Sequence, residues 1–256
     1  NGIEDQADDH IGGPTFFFTF QGEVYYSAFR ADITELMLVG PGPNMLTIED
    51  MAFAQFNNGA GALVIYDDGT GLSRIDIRDG VDLAFAFFPE PRKTTIPQTF
   101  DIGAAAVERT ADLRLFAGSV GQVDRPNQIK VTVGTDVTTL TNPLGSMDGE
   151  LWDTITIPVT IPIGASTVTV EPISWDDPTG NLPASLSWIG AAFAVPPYCG
   201  DGIVDDGEIC DDAFAVSWSF WIGAEGGGST QAWCIISHYA DYIVQDVADG
   251  LELLDD

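Results

Sequence analysis

"TITIPVTIPIGASTVTVEP", residues 154–172, decides the fold. Threonine alternates with isoleucine or valine on either side of a Pro-Ile-Gly-Ala-Ser break. A period of two puts like side chains on one face, and β-branched residues are better hosted by strands than by helices. The stretch therefore predicts two strands, Thr154–Ile161 and Thr167–Pro172, joined by a short turn.

Working outward, the same texture extends from about Thr15 to Pro196. Further strands are expected at Thr15–Phe20, Glu23–Phe29, Ala62–Tyr66, Ser73–Arg78, Val81–Phe88, Asp112–Ala117, Gln128–Val133 and Ser185–Val195. Turn signals separate them: "DDGTG" at 67–71, "RDG" at 78–80 and "DDPTGN" at 176–181 supply glycine for positive φ and aspartate for local backbone hydrogen bonds. Pro158, Pro162 and Pro172 mark edges or bulges. Ten strands without helical periodicity predict an all-β chain, a jelly-roll or immunoglobulin-like β-sandwich, the jelly roll favoured by the length of the unit. At 256 residues with 45% hydrophobic and 11% aromatic residues, the chain buries a full core. No repeat of fixed period points to a solenoid or propeller.

After Pro196 the composition shifts, so the expected organisation is a sandwich over residues 1–196 and a small disulfide-containing appendage over 197–256. The appendage opens on an acidic loop, continues with the apolar strand "AFAVSWSFWIG" (213–223), and ends in a tail where Trp233, Ile236, Tyr239, Ile243, Val247, Leu251 and Leu254 recur at steps of three or four. That spacing favours an amphipathic helix, although Cys234–Val244 also reads as extended.

Charge narrows the function. The 39 acidic and 9 basic residues leave a formal charge of -30, which disfavours nucleic acid and anionic membranes as partners. No apolar run is long enough to span a bilayer as a helix. The chain begins at Asn1 without a secretion signal, the expectation for a processed, exported product. Cys199, Cys210 and Cys234 all lie in the last quarter, where a small appendage gains from a disulfide. Solubility in salt and dedicated cation sites both account for so many carboxylates.

The acidic loop carries the sharpest motif. Asp201-Gly202-Ile203-Val204-Asp205-Asp206-Gly207-Glu208 has the order of the later part of an EF-hand loop, but Pro197 and Cys199 stand where the first ligands belong, which excludes a complete EF-hand. Taken whole, "CGDGIVDDGEICDD" (199–212) resembles the cysteine-rich repeat of secreted myxobacterial and related surface proteins. In that repeat a cysteine, Gly-Asp/Asn-Gly, Gly-Glu, a second cysteine and an Asp-Asp pair recur. The match covers these fourteen residues; the further cysteines and Gly-Asn stretch of that family are replaced here by "AFAVSW". The resemblance implies an extracellular or cell-surface protein and points to Ca2+. Crowding Asp201, Asp205, Asp206, Glu208, Asp211 and Asp212 without a cation costs about 1 kcal/mol or more per close carboxylate pair. A Cys199–Cys210 bridge would add roughly 2 to 3 kcal/mol by closing the loop. The alternative is a solvated acidic turn whose cysteines pair for stability alone, with Cys234 left as a buried thiol or an intermolecular one.

Catalytic signals are thin. His10 and His238 are the two histidines, and neither stands in a nucleophile motif. The pattern predicts no enzyme. Paired carboxylates for glycoside hydrolysis cannot be picked out from so many acids. Trp152, Trp175 and Trp188 would stack on sugar rings if exposed and pack the core if not.

The leading expectation is an extracellular structural subunit that assembles with copies of itself into a filament or surface layer. The ribbons "PTFFFTF" (14–20) and 213–223 offer Phe16, Phe18, Phe20, Phe214, Val216, Trp218, Phe220 and Ile222 for strand donation, residues 1–20 being the first candidate donor. Pairing of either ribbon within its own chain is the simpler alternative. The second reading is a secreted module that binds polysaccharide or acts as an adhesin, and the third a glycoside hydrolase.

Overall fold

The computed structural model describes residues 9–19, 22–40, 43–48, 57–67, 73–105, 107–121, 125–145, 148, 151–195, 231–240, 243–245 and 252–254. Eight strands form the body: β4 (Arg74–Ala84), β5 (Gln98–Asp101), β6 (Arg109–Gly118), β7 (Asn127–Val133), β8 (Asp136–Thr141), β9 (Trp152–Ile161), β10 (Thr167–Ser174) and β11 (Leu186–Val195). They pair antiparallel in two sheets, a central one of order β4-β11-β6-β9 and an outer one of order β5-β10-β7-β8. The first strand of this set pairs with the last, the second with the seventh, the third with the sixth and the fourth with the fifth. A hairpin wound up in this nested way is a jelly roll.

The alternation in 154–172 builds the core between the two sheets. Ile157, Val159 and Ile161 of β9 point inward while Thr156, Pro158 and Thr160 face solvent. Val168 and Val170 of β10 meet them from the opposite sheet, with Phe100, Leu113, Leu115, Ile129, Val131 and Phe193. Phe100 and Phe193 lie 5.4 Å apart across the sandwich. Pro158 sits on β9, an edge strand of the central sheet, where a missing N–H removes no ladder bond on its open side.

A third sheet covers the other face of the central one. Strands β1 (Asp9–Thr19), β2 (Glu23–Asp32) and β3 (Asn57–Asp67) are joined by β12 (Gln231–Ala240) in the order β1-β2-β12-β3. Strand β12 runs parallel to both neighbours. Tyr26, Ala28, Leu83, Phe116, Trp152 and Ile189 form one cluster beneath this sheet, and Leu63, Ile65 and Ala192 another. The central sheet is thus buried on both faces, and β11, "LSWIGAAFAV", is buried along nearly its whole length. A bulge between Trp188 and Gly190 shifts the alternation by one residue. Leu186 and Trp188 face the sandwich core before it; Ala191, Phe193 and Val195 do so after it.

Four expectations need correction. "RDG" is no turn: Arg74–Ala84 is one continuous strand, and Gly80, at φ 156°, accommodates the bulge opposite Trp188–Gly190. The strand expected over Val81–Phe88 stops at Ala84, leaving Phe85–Phe88 in a loop. Residues 231–240 are extended where apolar spacing favoured a helix. Their isoleucines and aromatics suit a strand, and the unfilled ladder edges of β2 and β3 override the helical period. Strands β13 (Ile243–Gln245) and β14 (Glu252–Leu254) then pair as a small antiparallel ribbon. Finally, the two-layer sandwich carries a third layer, in which β1 pairs with β2 of its own chain. The described part of "PTFFFTF" thus pairs within its own chain.

Candidate ligand-binding loop end

The register of the jelly roll collects its loops. Leu186 pairs with Ala84, Ser187 with Gly118, Gly118 with Trp152, Ser174 with Asn127 and Gln128 with Thr141. The β4–β5, β6–β7, β8–β9 and β10–β11 connections consequently leave from one end of the sandwich. Ends of this kind are where β-sandwiches carry binding loops.

These loops are cross-tied. Asn127, fully buried, donates from Nδ2 to the carbonyls of Arg125 (2.9 Å) and Leu144 (2.7 Å), and its Oδ1 accepts from Leu144 N (3.1 Å). The carbonyl of Pro126 accepts from Trp175 N and Ala184 N, at 3.3 and 3.0 Å. Arg125 donates from Nε and a terminal nitrogen to the carbonyl of Pro183, at 3.0 and 2.5 Å. Burial lowers the Arg125 pKa below its usual value.

The β4–β5 loop, "FAFFPEPRKTTIP" (85–97), carries the exposed chemistry. Phe85 meets Phe87 at 5.2 Å and Phe88 at 5.4 Å, both edge to face. The Arg92 guanidinium lies 4.9 Å above the Phe88 ring. Phe87 is 57% exposed, which leaves its ring open to contact from solvent. The backbone beneath it is pinned at several points. Phe85 N donates to Arg92 O at 3.0 Å, Ala86 N to Ser174 Oγ at 2.9 Å, and Thr95 N and Oγ1 to Pro172 O at 3.3 and 2.8 Å. Ile96 N donates to Asp82. Burial raises the Asp82 pKa, and the N–H groups of Ile96 and Leu83 oppose that shift in part. Because Ser174 holds Ala86, half-buried Trp175 stands one residue from the chain segment bearing Phe85 and Phe87. Beyond it, Asp177 Oδ1 closes the 176–181 turn by accepting from Thr179 N (3.0 Å) and Oγ1 (2.5 Å).

The residues singled out from sequence fall elsewhere. Asp201, Asp205, Asp206, Glu208, Asp211, Asp212, Cys199 and Cys210 lie outside the described residues, as do Phe20, Phe214, Val216, Trp218, Phe220 and Ile222. Cys234 and His238 belong to β12, opposite Gly61 and Ile65 of β3. His10 stacks on Phe29 at 4.9 Å on the outside of the covering sheet. Phe16 packs edge-on to Tyr25 and Phe18 to Phe17, both half-buried. Trp152 and Trp188, read as sugar-stacking candidates if exposed, are core residues at 0% and 4% exposure; Trp175 alone of the three reaches the surface. Among the described residues no group of three or more His, Cys, Asp or Glu side chains is placed to hold a metal ion. No helix there is long and apolar enough to cross a membrane.

Sequence reading missed Phe85, Phe87, Phe88 and Arg92 because "VDLAFAFF" alternates like a strand. The signal that separates them is Pro89 and Pro91 immediately after, which bars continuation of a paired strand.

No protein-family model and no curated protein matches the chain. Solved structures match parts of it. One is a ruminal GH26 endo-β-1,4-mannanase, at 13% identity and a TM-score of 0.28, over 44% of this chain and 21% of that one. Another is the CBM35 from Cellvibrio japonicus Abf62, at 14% identity and 0.26, over 54% of this chain and 99% of that one. A third is an exo-β-1,3-galactanase from Phanerochaete chrysosporium, at 12% identity and 0.24, over 52% and 29%. The jelly-roll assignment stands on the strand pairing of this chain itself.

Proposed function

We propose that the chain is a polysaccharide-binding β-sandwich module whose ligand lies on the loop end carrying Phe85, Phe87, Phe88 and Trp175. The observation that carries this reading is Phe87: an exposed ring backed edge-on by Phe85, which Phe88 also meets, on a loop pinned to β10. A rigid aromatic face presented to water offers a stacking surface for the C–H face of a pyranose ring, at little entropic cost on binding.

Binding without cleavage is the better-supported role for this end. Hydrolysis of a glycoside needs two carboxyl groups facing each other across the scissile bond. Here the Asp82, Asp148 and Asp177 carboxylates are occupied as internal acceptors, from Ile96 N, Thr154 N (2.6 Å) and Thr179 respectively. Each of the three holds a loop.

Affinity electrophoresis through gels containing galactomannan or hydroxyethyl cellulose tests the reading. The native chain is expected to be retarded, and Phe87→Ala to bind about tenfold more weakly, the loss of roughly 1.4 kcal/mol of ring contact. The same variant keeps its stability within about 0.5 kcal/mol, because the ring is mostly exposed. Equal retardation of variant and native chain would refute the assignment of the site.

A further inference from the structure

The charges of the molecule narrow the ligand class, an inference that rests on the glycan-binding reading above. The chain has nine Lys and Arg residues, and their placements are informative. Arg30 is held between Asp9 (3.0 Å) and Asp79 (2.5 Å), Arg78 by Asp76 (3.0 Å), Arg114 near Asp112 (4.0 Å) and Lys130 by Glu171 (3.1 Å). Arg109 turns to the carbonyls of Ile102 and Gly103. Arg74 opens β4 opposite Val195, at the far end from the binding loops.

Only Arg92, Lys93 and Arg125 remain at the loop end. Lys93 lies 3.9 Å from Glu90, and Arg125 spends its donors on Pro183 O. Arg92 lays its guanidinium on Phe88. Among the described residues of this end, Asp82, Glu90, Asp148, Asp176 and Asp177 outnumber the three cations, within a chain of formal charge -30. A uronate or sulfated glycan approaching it meets repulsion that is screened only beyond about 8 Å at physiological salt. No pair of cations stands ready to clamp a carboxylate. Exposed Phe87 and half-buried Phe85 and Phe88 carry no hydrogen-bonding atom, so they offer ring faces for stacking.

We infer that the ligand is an uncharged hexose polymer, recognised by stacking on C–H faces, and that polyuronates and sulfated glycans are discriminated against. The test compares retardation of the native chain in gels containing hydroxyethyl cellulose, galactomannan, polygalacturonate or dextran sulfate. Expected is retardation by at least one neutral polymer that changes less than about twofold between about 0.05 and 0.5 M salt. Little or no retardation is expected from the two anionic ones. Strongest binding to an anionic polymer, weakening steeply with salt, would overturn this inference while leaving the glycan reading intact. Absence of retardation in every gel would overturn the glycan reading itself. Phe87→Ala, run alongside, separates stacking at this end from contact elsewhere on the surface.

Discussion

Ile189→Ala probes the third layer directly. In a two-layer sandwich the residue after Trp188 would face water, and trimming it would change stability by less than about 0.5 kcal/mol. Here Ile189 is fully buried between the central sheet and the covering sheet, packed with Tyr26, Leu83, Phe116 and Trp152. The substitution removes three carbons, roughly 2.4 kcal/mol at about 0.8 kcal/mol each. A partly collapsed cavity among rigid rings adds to this, for a total of about 3 kcal/mol. For a chain of this size that lowers Tm by about 6 to 12 °C. Urea denaturation followed by tryptophan fluorescence measures it: the midpoint should fall while the slope with denaturant stays constant. A loss under about 0.5 kcal/mol would show that the covering sheet does not seal this face, and the three-layer description would fail.

Other expected outcomes follow the same logic. Gly59 has φ 148°, and a Cβ there would stand 2.8 Å from Trp152 Cβ; Gly59→Ala should destabilise by about 2 kcal/mol or more, read from the same denaturation curves. Asn127→Ala removes three hydrogen bonds that tie Arg125 and Leu144 together. It should cost about 3 kcal/mol and speed hydrogen exchange at the Leu144 amide, with little change at Leu113 in the distant core. Burial raises the Tyr26 pKa from 10.0 to about 12, opposed in part by nearby Ser187 and Asn58. A pKa raised on folding means that the folded chain holds its proton longer. Stability should therefore be unaffected below pH 10 and fall by about 2 to 3 kcal/mol as pH rises from 10 to 12, a loss that Tyr26→Phe removes.

Much of the fold is written in the sequence because edge and outer strands keep a solvated face. β9, β10 and β7 alternate, and their inward residues are those that the alternation marks. β11 does not alternate, since both of its faces are covered and its bulge changes register midway. Its apolar run reads as a strand, but nothing in it says which layers it separates. The covering sheet was hidden for a different reason: β12 joins β2 and β3 from far along the chain, a pairing that no local pattern encodes. At the loop end, Pro89 and Pro91 were the legible cue and the alternating phenylalanines the misleading one. Trp152 and Trp188 illustrate how little an aromatic's identity says about its exposure. Both are in the interior, whereas Phe87, which looked like one more strand residue, is exposed.

The most direct measurement of the account is an NMR titration of the isotope-labelled chain with a soluble neutral oligosaccharide such as cellohexaose or mannohexaose. Saturable shifts are expected at the amides of residues 85–97 and 174–182, with those of the opposite end, around Gly134 and Gly164, unmoved. Shifts centred on the outer face of β7 and β8, or none at saturating sugar, would contradict it.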